Sequence, residues 1–333
     1  MDTVSVVIPL YNKAPHLLRG IKSVLTQTVP ADEVIVVDDG STDGGADLIR
    51  SLRDPRILMI QQTNQGVSAA RNRGVAAAKG ELMAFFDPDD AWKPHYLEKI
   101  LDLRREFPQA GIYATAYEIV DSQGVLLQQE FNVFPPGVKQ GLLQRYYRLA
   151  LGRPEPLTTS AVTVPKKIMQ EIEGFLKGEF LGEDVDAWLR IALYYPIAWS
   201  REKLVFYHRD VVNPAVDTKM WNREPAISLT ARQALESDLV PADERTDLRE
   251  YAAYFQVNAA LHLLRQGDKK TARQMLAYAR GTKALARKWW LGRILCAIPG
   301  NHLSFLLRVY RKLKRVRVPN QSPVAKSGIT LAT

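Results

Sequence analysis

Cysteine is nearly missing from this chain, with Cys296 alone among 333 residues. A single thiol excludes an intramolecular disulfide framework and any cysteine-based zinc cluster, and it agrees with a reducing compartment. Long apolar runs are missing as well. The apolar stretch 4–10 has no basic flank and is too short for a signal peptide or a membrane span, so a cytoplasmic protein is expected. The turn that follows, residues 9–13, lacks the Gly-x-Gly-x-x-Gly phosphate cradle, which disfavours a nicotinamide dehydrogenase. Acids are absent after Asp268. Residues 261–333 hold 16 Lys and Arg against that one acid, whereas residues 1–260 hold 29 bases and 35 acids, so the formal charge of +9 sits at one end. That end is suited to an anionic surface.

With 46% apolar residues the chain can bury a large core. Residues 4–9, 33–38, 57–61 and 82–86 read as strands, and 16–27, 46–52 and 67–78 as amphipathic helices between them. This alternation predicts right-handed βαβ units and a parallel sheet covered on both faces. Residues 96–107 read as a helix, 112–120 and 125–131 as strands joined by a turn at Ser122-Gln123-Gly124, 166–174 and 185–195 as helices, and 204–207 as a closing strand. The sheet is therefore expected to be mixed but mainly parallel. From about Asp217 the pattern is helical, with helices 250–264 and 269–278 around the turn Gln266-Gly267-Asp268. We expect an α/β domain over 1–215, a basic helical region over 216–318 and a disordered tail over 319–333.

Four constellations carry possible chemistry. Phe85-Phe86-Asp87-Pro88-Asp89-Asp90 puts three carboxylates at the end of an apolar strand, the edge of an open parallel sheet where ligands bind. Like charges so close raise one another's pKa unless a cation offsets them, and oxygen ligands of this kind suit Mg²⁺ or Mn²⁺. An Asp-Pro turn is the structural alternative. Val37-Asp38-Asp39-Gly40-Ser41 repeats the strand-end acids, and a carboxylate there can accept a base N–H or ribose hydroxyls; a capped turn is its alternative. Gly66 to Asn72 runs from a turn into a helix carrying Arg71, whose planar fork can stack on or bond to a base unless it is simply solvated. Leu181-Gly182-Glu183-Asp184-Val185-Asp186 opens another helix, where the macrodipole alone would favour acids.

Taken together and in this order, with Val4-Ser5-Val6-Val7-Ile8-Pro9-Leu10-Tyr11-Asn12 before them and Glu183-Asp184-Val185-Asp186-Ala187-Trp188 at the end, the motifs resemble the inverting, GT-A-fold glycosyltransferases of family 2 over about the first 210 residues. The resemblance implies a GT-A nucleotide-diphospho-sugar transferase fold and a nucleotide-sugar donor, with UDP favoured and dTDP and GDP left open. It implies that Asp39 and Arg71 hold the base, that Pro9, Tyr11 and Asn12 line the nucleoside pocket, and that Asp38 stands beside them. Asp87 and Asp89 would form the Asp-x-Asp pair. Asp87 would meet ribose or metal-bound water, Asp89 would bind a divalent cation, Mn²⁺ or Mg²⁺, and Asp90 is close enough to compete. Asp184 would be the general base, and Glu183 would orient it or bind acceptor. His208 would meet diphosphate or metal, while Trp188 and Arg190 would support the pocket. The implied acceptor is a growing cell-surface glycan or a lipid-linked saccharide. A catalytically inactive nucleotide-sugar-binding scaffold of the same fold is the alternative, against which Glu183 and Asp184 argue.

Residues 289–310 mix Trp289, Trp290, Leu291 and Ile294 with flanking bases, interrupted by Pro299 and Gly300. They read as helices lying in a membrane interface, which would place the protein on the inner face of the cytoplasmic membrane. An ordinary helical subdomain packed on the catalytic domain is the alternative. Nucleic acid is not expected, because no recognised binding motif accompanies the charge.

Overall fold

A computed structural model describes residues 2–152, 154–179, 181–209, 223–237 and 239–298. The expected boundary at 215/216, the tail at 319–333 and the end of the 289–310 stretch lie outside the described residues. The first half alternates as expected: β1 Val4–Leu10, α1 Ala14–Leu25, β2 Glu33–Asp38, α2 Gly45–Ser51, β3 Ile57–Gln61, α3 Val67–Ala77 and β4 Leu82–Phe85. β1 and β4 are buried at every position, the mark of strands covered on both faces. In α1, Pro15 near the start fixes the entry, and Leu17, Ile21 and Val24 recur at helical spacing to face the sheet.

The chain continues through β5 Ala91–Trp92, α4 Tyr96–Glu106, β6 Ile112–Val120, β7 Leu126–Leu127, β8 Gln140–Leu142, α5 Tyr146–Ala150, β9 Val162–Pro165, α6 Lys166–Glu171, α7 Glu183–Ala192 and β10 Ile197–His208. One sheet runs in the order β3-β2-β1-β4-β9-β6-β10-β5, with β7 on β6 and β8 on β10. β1 pairs in parallel with both β2 and β4, and β9 then enters antiparallel between β4 and β6. The sheet is mixed as expected. Because β2 and β4 leave β1 on opposite sides, the carboxyl ends of the three strands open a crevice at a topological switch point.

The expected strand 125–131 shrinks to β7. Asp121 Oδ1 accepts the N–H groups of Gln123 and Val125 and forms the turn, but Leu126 and Leu127 are exposed and bury no second face. The closing strand is the second half of β10, whose pairing with β6 shifts register between Ser200 and Val205 around the charged Arg201 and Glu202.

Two glycines set the distances on which the crevice depends. A Cβ on Gly74 of α3 would stand 2.4 Å from Val7 Cγ1, so α3 lies directly on β1. A Cβ on Gly20 of α1 would stand 2.8 Å from the Pro88 carbonyl oxygen and 3.2 Å from that of Asp90. The acid loop is therefore seated on α1. The helices that follow are α8 Ala226–Glu236, α9 Arg245–Gln266, α10 Lys269–Tyr278 and α11 Ala286–Ala297. Apolar packing runs unbroken from the sheet into α8 and the first half of α9, through Ile227, Ala231, Leu248, Tyr251 and Phe255. A second cluster joins the rest of α9 to α10 and α11. Between α9 and α10 the expected turn is a Schellman motif: Gly267 has φ +93°, its N–H donates to Leu264, and the Asp268 N–H donates to Leu263.

Candidate active site

The crevice at the ends of β1, β2 and β4 is a cavity of about 570 Å³ walled by Pro9, Tyr11, Asp39, Arg71, Asp87 and Asp89, with Lys13 and Ser68 beside them. The sequence reading expected the first six at one site, and the fold brings them to one wall. Asn12 and Asp38 stand behind it. Asn12, at φ +51°, donates its N–H to Ser41 Oγ and accepts the Thr42 N–H on Oδ1 at 2.8 Å, tying the loop after β1 to the loop after β2. Asp38 accepts the Ser41 N–H and Gln61 Nε2. Burial pushes its carboxyl up, but the bonds from Ser41 and Gln61 outweigh that and hold it below its ordinary value. Asp38 is thus a turn-forming residue and does not line the cavity.

Asp39 is almost wholly buried and holds the loop 62–66. Its Oδ1 accepts Gln62 Nε2 and the Gln65 N–H, and its Oδ2 accepts the Gly66 N–H, each at 2.8 Å. A carboxylate offers about four acceptor positions, so Oδ2 retains one.

Arg71 occupies the centre. It is 3% exposed, and its guanidinium donates from Nη1 to Glu183 Oε1 at 2.7 Å and from Nη2 to Asp87 Oδ1 at 2.8 Å. Burial opposes its charge, but Asp87, Glu183 and Asp184 outweigh that and hold its proton more tightly than usual. Two of its five N–H groups are thus engaged by carboxylates, and Arg71 still lines the cavity. Its Nε carries no partner.

The three acids of the loop have separate surroundings. Asp87 is half-buried; burial drives its carboxyl up, against the pull of Arg71. Asp89 pairs with Lys13 Nζ at 2.5 Å through Oδ2. Asp90 is 1% exposed, its Oδ1 accepting the His208 N–H at 2.9 Å and its Oδ2 the Ser160 hydroxyl at 2.5 Å. Burial and the neighbouring Asp89 and Asp87 push it well above the usual carboxylate range. Asp90 is buried behind the cavity wall that Asp87 and Asp89 line. His208 is placed by the same bond at the end of β10. Ser160 also accepts the Asp87 N–H, so one hydroxyl, which the sequence reading did not single out, fixes two acids at once.

Asp87 and Asp89 pass a chemical test for a divalent cation. They line one cavity, and a cationic side chain takes one oxygen of each, leaving Asp87 Oδ2 and Asp89 Oδ1 with no hydrogen bond among the described residues. No group of three or more His, Cys, Asp or Glu is gathered for a metal among the described residues.

Beyond Arg71 lies a cavity of about 1140 Å³, walled by Asp184 and Trp188 of α7, Tyr117 of β6, Tyr207 of β10 and Tyr251 and Tyr254 of α9. Gly182, at φ +81°, turns the chain into α7 and sends the two acids at its start apart. Glu183 is buried on Arg71; burial and Asp184 raise its pKa against the pull of Arg71. Asp184 faces the large cavity. Its Oδ2 accepts the Thr159 hydroxyl at 2.6 Å and its Oδ1 the Val185 N–H at 2.8 Å, so its orientation is fixed. Trp188 packs against Phe85 and Phe175, and Arg190 binds Asp186 at 2.8 Å.

Residues 5–159 match the family described as "Glycosyl transferase family 2". An uncharacterized glycosyltransferase of Nostoc sp. is 46% identical over 112 residues, 33% of this chain and 35% of that protein. TuaG of Bacillus subtilis, a putative teichuronic acid biosynthesis glycosyltransferase, is 37% identical over 129 residues, 38% of this chain and 51% of its own length. The chain thus spans about a third of one relative and half of the other. Among solved structures, S. aureus TarS 1-349 in complex with UDP-GlcNAc matches at a TM-score of 0.68 and 18% identity, covering 93% of this chain and 92% of that one. At that identity the likeness is one of fold, and the fold is GT-A.

Proposed function

We propose, from the match of residues 5–159 to the glycosyl transferase family 2 model, that the chain is an inverting glycosyltransferase acting on a UDP-sugar. The donor lies in the smaller cavity, and the hydroxyl of a cell-surface glycan or lipid-linked saccharide enters the larger one. One observation supports this most directly: Arg71 spans the wall between the cavities, with Asp87 on the donor side and Glu183, next to Asp184, on the other. The UDP-GlcNAc complex of TarS favours UDP among the candidate nucleotides, and the free acceptor position on Asp39 Oδ2 suits the ring N–H of uracil.

Asp87 and Asp89 would hold the divalent cation. When bound, it neutralises charge on the departing diphosphate as a Lewis acid. Asp184 takes the proton of the acceptor hydroxyl while that oxygen attacks the anomeric carbon, and the bond from that carbon to the phosphate oxygen breaks with its electron pair leaving on UDP. A single displacement inverts the configuration. Glu183 and Asp87 keep Arg71 in place, and Thr159 keeps Asp184 aimed.

The test is Asp184→Asn, followed by UDP release from a panel of UDP-sugars with Mn²⁺ and by UDP titration. UDP binds the variant as it binds the unmodified chain, and turnover falls by about 10²- to 10⁴-fold. Undiminished turnover removes Asp184 from the mechanism, and failure of the unmodified chain to bind UDP removes the donor assignment.

A further inference from the structure

α11 is apolar on both of its sides, and only one of them is covered by other described residues. Inward, Gly292 and Cys296 face α10, where Leu276 Cδ1 would stand 3.0 Å from a Cβ on Gly292. Trp289 Nε1 donates to the Leu276 carbonyl at 2.7 Å, and Arg273 donates to the Cys296 carbonyl at 2.8 Å. The inner packing of the helix is therefore complete. Outward, Trp290, Leu291 and Ile294 are 61%, 49% and 58% exposed. At 3.6 residues per turn the three fall within an arc of about 100°, and Arg287, Lys288 and Arg293 are exposed around them.

We infer that this outer face of α11 docks on an anionic lipid surface, with Trp290, Leu291 and Ile294 entering the interface and Arg287, Lys288 and Arg293 meeting headgroups. Charge decides the occupant. Residues 299–333, which follow α11 directly, contain seven Lys and Arg and no acid, so this segment is repelled by the basic rim of α11 rather than drawn over it. A second copy of the chain would bring the same positive rim to the same face. An anionic bilayer attracts the helix and the following segment together, each base near the surface adding to the attraction. No helix among the described residues is long and apolar enough to cross a membrane. The 12 residues of α11 span about 18 Å, short of a hydrocarbon core of about 30 Å, so the helix lies along the interface. An apolar face with basic flanks is the composition of such helices.

The experiment is flotation of the full chain and of the double variant Trp290→Glu/Ile294→Glu. The vesicles are phosphatidylcholine alone or with about 30% phosphatidylglycerol. Both substitutions are at exposed positions, and an unchanged unfolding midpoint verifies the fold. The unmodified chain floats with the anionic vesicles and not with phosphatidylcholine, and raising the salt to about 0.5 M weakens the binding. The double variant partitions at least about tenfold less. Three outcomes overturn the inference: no flotation with anionic vesicles, equal flotation of variant and unmodified chain, or self-association that the substitutions abolish while vesicles go unbound.

Discussion

Replacing Arg71 by Met tests the electrostatic reading of the site at its centre. Met keeps an unbranched apolar stem and removes the guanidinium. The arginine side chain is 4% exposed, Glu183 10% and Asp87 29%, so the variant leaves one carboxylate buried and another partly hydrated with no cation between them. Removing one partner of a buried ion pair costs about 3–5 kcal/mol, and Glu183 carries the larger share because less water reaches it. The penalty depends on pH with a definite sign. Glu183 and Asp87 are already raised by burial, and without Arg71 they rise further above their unfolded values, near 4. Carboxyls raised in the folded state favour folding below the unfolded pKa and lose that contribution as pH rises through the folded one. The stability gap between variant and parent is therefore smaller near pH 5 than near pH 7.5. Urea unfolding followed by far-UV circular dichroism at both pH values measures it, and Arg71→Met/Glu183→Gln recovers part of the loss. A penalty below about 1 kcal/mol at both pH values, the size expected of an exposed pair, refutes the reasoning. So does a penalty that does not change with pH.

Two further substitutions probe the cleft and its support. Lys13→Met removes the ammonium from Asp89, so Mn²⁺ followed by electron paramagnetic resonance binds the free protein about threefold to tenfold more tightly, whereas UDP titrated in Mn²⁺ binds more weakly; looser Mn²⁺ binding contradicts a competing role for Lys13. Gly74→Ala forces a methyl into Val7 and lowers stability by about 1–3 kcal/mol in thermal or urea unfolding, with Val7→Ala restoring part of it; an unchanged midpoint means that α3 can slide on β1.

Local pattern made the first half of the fold readable. β1, β2 and β4 are mainly apolar runs, and the acids after β2 and β4 stand where parallel strands finish. β9 could not be read in this way, because its four residues are a strand only through antiparallel partners on β4 and β6. The candidate residues were equally legible as a set and not as individuals. Glu183 and Asp184 are neighbours with the same charge, and what separates them is Arg71, 112 positions from Glu183. Asp90 differs from Asp89 because Ser160 and the His208 N–H, 70 and 118 positions away, take both of its oxygens. Asp39 is held in part by backbone N–H groups, which leave no side-chain signature.

The two cavities also divide the chain into parts of unequal freedom. The smaller one draws almost entirely on the first 89 residues, with Gly178 and Glu179 added, whereas the larger one is assembled from segments between Tyr117 and Phe255. Buried contacts of Arg71 with Glu183, Asp90 with Ser160 and Phe85 with Trp188 fasten them together. If, as proposed, the acceptor enters the larger cavity, positions such as Gln128, Gln129 and Tyr254 can be exchanged to accommodate a different incoming hydroxyl while the donor half is kept whole, so long as that fastening remains. The architecture is that of a fixed handle with an interchangeable jaw.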